Sequence, residues 1–440
     1  MIDLTRYNIP IPRYTSYPPA STWGNMEGER YVQALSSTRN PISLYIHIPF
    51  CFSRCLYCAC SSISFQSKEV TARYIDALCR ELKLIQKETG RASIKEIHFG
   101  GGSPSLLSAS TFEQLFSAIK ALFSLEEGAE ISIEVDPRNV YNTKKLEEFK
   151  KLGFNRLSLG IQDLDDSVQK AIGRFQPANV SKEVFLQARE LKFSNINIDL
   201  VYGLPKQTST TFTTTIEEIS FLQPDRIALF SFAYLPEIKP NQRSILPNLL
   251  PSPEEKFAIY QQSRECLLKR GYTAIGIDHF ALASDPLSQA LKNKTLTRGF
   301  QGYTPGQNRP LIGLGITSIS FLENGYFQNT KDLSSYLDSI ENNLLATSRG
   351  SILSNDDLVR KWVIEQILCF GSIDKTLFKT KWGHFFDEYF TDIALDSLIE
   401  DGLLKESETS LIATKMGELF LRNIASCFDA YTHTICSGAI

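Results

Sequence analysis

EISIEVD, residues 130–136, sorts its side chains by parity: Ser132, Glu134 and Asp136 share one face of an extended strand, Ile131, Ile133 and Val135 the other. The split recurs in RLSLGIQ (156–162), where Arg156, Ser158, Gly160 and Gln162 oppose Leu157, Leu159 and Ile161. It recurs again in NINIDL (195–200), where Asn195, Asn197 and Asp199 oppose Ile196, Ile198 and Leu200. Strands of a parallel sheet sheathed by helices on both sides are apolar on both faces. One polar face therefore predicts a curved, incompletely closed sheet with helices outside and a polar cavity inside. A sheet with one merely solvated face is the alternative.

Working outward, SLYIHIPF (43–50), IKEIHFGG (94–101) and RIALFSFAY (226–234) bring the strand-like runs to six. Helical patterns such as VTARYIDALCRELKLIQ (70–86) and TTFTTTIEEISFL (210–222) lie between them. Alternating strands and helices predict an α/β fold of repeated βα units. Six units fall short of the eight of a complete barrel, so the expected architecture is an incomplete (β/α)6 barrel. After Tyr234 a Pro-rich connection leads to a helix near 253–269, then to GYTAIGIDHFA and FQGYTPGQNRPLIGLGITSISF, expected as strands closing one side of the cavity. SRGSILSNDDLVR (348–360) predicts a linker ending in a helix start, and DGLLKESETSLIATKMGELFL a hairpin wing followed by a helix. The expected division is an N-terminal arm (1–36), a catalytic domain (37–347) and a mainly helical, winged-helix-like cover (348–440).

Of the 440 residues 42% are apolar and 22% charged, an ordinary globular balance. Forty-six basic against 49 acidic residues leave a net charge of −3, which points to neither nucleic acid nor an anionic membrane. Residues 351–440 hold 8 basic and 14 acidic residues, the wrong sign for a DNA-binding wing. The longest near-continuous apolar run, Leu311 to Leu322, is too short to span a bilayer. The opening MIDLTRYNIPIPRY has no hydrophobic core of a secretory signal. Nine cysteines, four of them within ten positions, predict a reduced, cytoplasmic thiol–metal protein rather than a disulfide framework.

CFSRCLYC places Cys51, Cys55 and Cys58 on a loop directly after the first strand, with Cys60 just beyond. Three soft sulfurs on one loop can each take one iron of a 4Fe–4S cluster and leave the fourth iron open for a chelating small molecule. Structural zinc is the competing assignment; it calls for four closed ligands, commonly in two separated pairs, and no second pair follows. Cys60 is placed on the substrate side of the cluster, since as fourth ligand it would ask a single turn to supply every sulfur. Cys79, Cys266, Cys369, Cys427 and Cys436 stand in apolar or helical contexts and are expected to be inert. Gly100-Gly101-Gly102-Ser103-Pro104 ends the second strand, where glycines let backbone approach a ligand closely. Strand C-terminal ends form the active face of a βα barrel, and the cysteine loop occupies that same face.

YIHIPFCFSRCLYC together with GGGSP resembles the radical S-adenosylmethionine (SAM) superfamily. PRYTSYPPA (12–20), Cys58-Ala-Cys60, GIDHFAL (276–282) and FQGYT (300–304) narrow the resemblance to the oxygen-independent coproporphyrinogen III oxidase family. It extends over nearly the whole chain, through NIDLVYGLPKQT, LVRKWVIEQILC and LRNIASCFDAY. Residue by residue it implies Cys51, Cys55 and Cys58 as cluster ligands, with Tyr45, Gly101 and Glu134 around a first SAM. It implies a second SAM among Tyr57, Gly102, Ser103, Gln162, Arg174, Asp199, Ala233 and Ile319. Glu134, Gln162 and Asp199 belong to the polar faces that alternation alone had separated. Tyrosine at 57 and serine at 103 depart from the family's frequent phenylalanine and threonine.

The implied reaction is oxidative decarboxylation of two propionates of coproporphyrinogen III to vinyl groups, giving protoporphyrinogen IX in haem biosynthesis. A 5′-deoxyadenosyl radical formed from SAM at the reduced cluster would take a propionate hydrogen, with flavodoxin or ferredoxin as low-potential donor. A tetracarboxylate calls for cations, with Arg13 on the PRYTSYP arm first and Lys239 and Arg243 behind it; the alternative is that Arg13 only anchors the arm, which is expected to fold over docked substrate. Gln301 and Tyr303 are expected at the macrocycle, His47 and His98 as packed strand residues, and His279 as either a structural histidine or a substrate contact. A monomer is expected. The competing function is a haem-carrying paralogue; such paralogues typically lack the arm, Cys60, GIDHFAL and FQGYT, all present here.

Overall fold

The computed structural model describes residues 4–431 except 39, 307, 308, 392 and 394. Six strands, Ile42–Ile48, Ser93–Gly101, Ser124–Val135, Arg156–Gln162, Asn195–Tyr202 and Arg226–Ser231, each pair in parallel with the next. They are the six runs expected. Leu311–Leu314 adds a seventh parallel strand on the free side of the first. Antiparallel strands extend both edges to thirteen: Ile319–Leu322, Gly325–Asn329, Thr347–Ile352 and Gly24–Asn25 on one side, His279–Leu282 and Tyr272–Ile275 on the other. The two edges do not pair, so the barrel stays open.

The parity rule decides which way each side chain faces. Ile97, Ile133, Leu157 and Ile198 are fully buried toward the helices. There Phe99, Phe112, Phe116, Phe149 and Phe154 meet edge to face with centroids 5.2–5.7 Å apart. The inner face is polar and self-satisfied in its lower part. At the floor Arg226 and Asp285, almost wholly buried, pair at 2.7 Å, Asn195 donates to Asp285 at 2.6 Å, and Arg156 binds Glu130 at 2.6 Å. One layer higher, Asn197 donates to Ser158 and Asp199 at 2.8 and 2.7 Å, and Ser158 donates to Asp199 at 2.9 Å. Above that layer the interior opens into a cavity.

Helix Asn355–Phe370, helix Lys375–Trp382, a three-stranded sheet (Ser372–Asp374, Leu404–Glu406, Ser410–Ala413) and helix Leu421–Ser426 form the C-terminal part, with the expected hairpin wing. Two expectations need correction. The linker set at 348–360 is in its first part the strand Thr347–Ile352, so the division at 347/348 falls inside an element of the main sheet. The strand pairs on both sides, with Gly350 pressed against the Tyr326 carbonyl. The N-terminal arm is not waiting to fold over. Tyr7, Ile11, Tyr14 and Tyr17 are buried in the C-terminal core, while helix Gly28–Ser36 sends Tyr31, Ala34 and Leu35 into the main core. Cys369 is buried, Cys79, Cys266 and Cys427 partly so, and Cys436 lies outside the described residues. No helix among the described residues is long and apolar enough to cross a membrane.

Candidate active site

The open end of the barrel encloses a cavity of about 750 Å³, with a second lobe of about 400 Å³ beside it. Arg13, Glu134 and Phe230 border both. The larger lobe gathers Cys51, Cys55, Cys58 and Cys60, and opposite them Gly101, Gly102 and Ser103. Tyr57, Gln162, Arg174, Asp199 and Ala233 complete its wall. Tyr45, Gln301 and Ile319 border the second lobe instead, so Ile319 stands with Tyr45 and apart from the other residues implied for a second SAM.

Local structure explains these positions. The first strand ends at Ile48, and residues 49–62 turn across the barrel mouth before helix Lys68–Thr89. Asn241 holds that turn by donating to the carbonyls of Cys55, Leu56 and Cys58 at 3.2, 2.9 and 2.9 Å, and Gln242 donates to Tyr57 at 3.0 Å. His47 donates from Nε2 to the Ser61 carbonyl at 2.9 Å, which leaves Nδ1 to accept from the Tyr45 hydroxyl at 3.0 Å. His98 meets Ser132 at 2.7 Å and Glu134 at 3.4 Å. Both strand histidines are thus packed and partnered, as expected. Gln162 takes a left-handed backbone (φ +73°) beside a register shift at the end of its strand, a bulge that re-aims its side chain into the cavity.

Two guanidinium groups stand beside the Cys55 sulfur. Arg174, 5% exposed, donates to the Gly160 carbonyl at 2.6 Å and lies 3.5 Å from the Cys55 sulfur, with Arg138 at 3.9 Å on the same atom. Burial would raise the Asp136 carboxyl, but the charge of Arg174 and bonds from Arg138 hold it below the usual carboxylate range. Hydrogen bonding from Cys60 lowers the Cys58 thiol and leaves Cys60 the one to keep its proton. Burial, then the neighbouring Cys58, push the Cys51 thiol up to about 11, a cost that a bound metal removes by deprotonating the sulfur outright.

These residues fit the implied cofactors. Cys51, Cys55 and Cys58, on one loop bordering the larger lobe, suit a cluster, in which each sulfur takes a different iron. Arg174 Nε is buried in the lobe wall without a partner. The Gly101 amide donates to Glu134 at 3.1 Å, and a Cβ on Gly102 would stand 3.0 Å from the Cys51 sulfur, so the glycine run leaves the space a ligand needs.

Three expected substrate contacts are relocated. Lys239 and Arg243 border neither lobe, and Arg243 donates instead to the Pro236 carbonyl at 3.1 Å. Tyr303 is buried with its hydroxyl between the Ile277 amide and the Leu368 carbonyl, each at 3.0 Å. Arg13 both anchors and faces the cavity: it donates to the Ser231 carbonyl at 2.8 Å and lies over Phe230 at 5.7 Å. Sequence inspection missed Asn241, Arg138 and Asp278. Asn241 clamps carbonyls some 185 positions away, which no local pattern signals.

A radical SAM superfamily profile matches residues 45–219. An oxygen-independent coproporphyrinogen III oxidase of Pseudomonas aeruginosa is 39% identical over 97% of this chain and 95% of its own. Proteins of the same name from Synechocystis and Escherichia coli K12 are 38% and 37% identical over 97% of this chain and 94% of theirs. The solved structure of the Escherichia coli coproporphyrinogen III oxidase, described as a radical SAM enzyme, superposes with a TM-score of 0.91 at 37% identity, covering 95% of this chain and 97% of that one.

Proposed function

The chain belongs to the oxygen-independent coproporphyrinogen III oxidase family of radical SAM enzymes, and on that premise we propose that it converts two propionates of coproporphyrinogen III to vinyl groups, yielding protoporphyrinogen IX for haem biosynthesis. One observation carries this: the cysteine loop, the glycine run and the polar-face residues Glu134, Gln162 and Asp199 border one cavity, and the arginine of the arm closes it. Cys51, Cys55 and Cys58 would hold a 4Fe–4S cluster. Tyr45, Gly101 and Glu134 would surround the SAM on it, and Tyr57, Gly102, Ser103, Gln162, Arg174, Asp199, Ala233 and Ile319 a second. When bound, these cofactors supply a radical able to take hydrogen from an unactivated C–H bond.

What the chain's own residues do follows from their placement. Arg138 and Arg174 compensate negative charge at Cys55, and Asn241 keeps the thiol loop in one conformation. Arg13 and Gln301 hold substrate carboxylates so that a propionate β-carbon lies against the cofactor lobe. Cys60, bare to that lobe, faces the reacting side. The docked arm and the C-terminal cover exclude water and stray hydrogen donors from the cavity. Free thiols suit a reducing cytoplasm, and the electron comes from a low-potential flavin or iron–sulfur protein to a monomer.

Anaerobically reconstituted protein supplied with reductant, SAM and coproporphyrinogen III is expected to release 5′-deoxyadenosine and protoporphyrinogen. Cys51→Ala is expected to lose the cluster's broad visible absorbance and both products. Tight haem binding without decarboxylation would replace this function with that of a haem carrier.

A further inference from the structure

His279 opens the strand His279–Leu282, paired with Ala228 of the sixth parallel strand, and it faces the 400 Å³ lobe. Its Nδ1 lies 2.7 Å from Asp278 Oδ1. Phe230 and Tyr303 meet the imidazole edge to face at 5.8 and 5.5 Å and fix the plane of the ring. Nε2 has no hydrogen-bond partner among the described residues, and a Cβ built on Gly302 would stand 3.8 Å from it, so the glycine leaves that edge bare. His47, by contrast, has both nitrogens satisfied, by Ser61 and Tyr45.

Charges of both signs meet around the ring. Asp278 is buried, with Arg298 at 3.6 Å from its other oxygen; burial works against its charge, but Arg298 and His279 outweigh it and keep the carboxylate ionised. The other titratable groups around it are Arg13 from the arm, Arg298 from the strand Leu296–Gly299 and Asp199 from the fifth parallel strand, with Tyr45, His47, His98 and Glu134 also lining the lobe. Arg13 and Arg298 repel a further cation while the lobe is empty, and an entering carboxylate relieves them.

We infer that the Asp278–His279 pair is a carboxylate-binding device: the doubly protonated imidazole donates Nδ1–H to Asp278 and Nε2–H to a propionate of the porphyrinogen-class substrate. This rests on the function proposed above and adds a contact to Arg13 and Gln301 on the same lobe. Asp278 acts through His279 and is a positioning residue.

The test is fluorescence titration of the full chain with coproporphyrin III, the oxidised tetracarboxylate, without SAM or reductant. His279→Ala is expected to raise Kd about tenfold and Asp278→Asn by a smaller factor, both leaving affinity for the tetramethyl ester unchanged. His279→Gln, which keeps the side chain's bulk, is expected to show the same loss should the alanine variant fold poorly. Wild-type binding of the acid matched by both His279 variants would overturn the inference alone. Failure of the wild type to bind the acid would overturn it together with the function beneath it.

Discussion

At Gly101 and Gly102 one methyl group separates an open cradle from a blocked one. Gly101 has φ +122°, and a Cβ there would stand 2.7 Å from the His47 ring and 2.9 Å from the Ile48 carbonyl. A Cβ on Gly102 would reach the Pro49 carbonyl at 2.4 Å, and backbone cannot rotate away as a flexible side chain can. Gly102→Ala is therefore expected to push the Pro49–Cys51 turn outward, destabilising the fold by about 1–3 kcal/mol and lowering cluster occupancy. Iron and sulfide per chain after anaerobic reconstitution, with a urea midpoint, measure both. Wild-type values for the pair would show that the turn has slack. Gln162 illustrates the complementary case, a side chain carried into the cavity by a strained backbone and a bulge.

Among the elements, helix Lys68–Thr89 does more than cover the sheet. Glu81, 1% exposed, accepts from the Gly315 amide, Asn329 and the Tyr336 hydroxyl at 2.8, 2.6 and 2.7 Å. Tyr74, two turns earlier on the same face, accepts from Ile316 at 3.1 Å and donates to the His47 carbonyl at 2.8 Å. The helix thereby holds Gly315 and Ile316, next to Thr317, Ser318 and Ile319 of the second lobe. Burial pushes the Glu81 carboxyl up to about 7, with the three hydrogen bonds only partly offsetting it. The unfolded chain ionises at ordinary carboxylate pH while the native chain keeps its proton, so stability is full below that range and falls as pH rises toward 7. The loss amounts to about 3 kcal/mol. Urea unfolding at about pH 5 and about pH 8 should show this fall in the wild type and a smaller one in Glu81→Gln. Equal slopes in both proteins would remove Glu81 from the account.

For the molecule as a whole, the arm and the C-terminal cover form one cooperative cap. Tyr14 donates to Asp429 at 3.0 Å, Asn423 donates to the Tyr7 carbonyl at 2.8 Å, and Arg422 donates to the Ile11 carbonyl. Arg298 reaches the Arg13 carbonyl at 3.2 Å, which ties this cap to the substrate lobe. Removing the buried Tyr14 ring is expected to cost about 3–5 kcal/mol in the cap and to release Arg13 from its place. Tyr14→Ala should therefore raise KM for coproporphyrinogen III about tenfold or more while the cluster absorbance stays as in the wild type. A changed cluster with unchanged KM would mean that the cap supports the thiol loop instead.

Much of this was determined by sequence alone, because parity along a strand is a local property. The inward Ser132, Glu134, Arg156, Asn197 and Asp199 could be separated from the outward isoleucines and leucines without knowing what they face. Three cysteines on one short loop likewise carry their chemistry with them. The tertiary structure alone decided matters that depend on contacts between distant segments. It made Thr347–Ile352 a strand of the main sheet, kept Lys239 and Arg243 out of the cavity lining, used the Tyr303 hydroxyl in the core, and set Asn241 against the cysteine loop. It also left Nε2 of His279 open to the lobe. Whether a polar atom is satisfied is settled by partners hundreds of residues away, and no pattern within a strand or a turn encodes them.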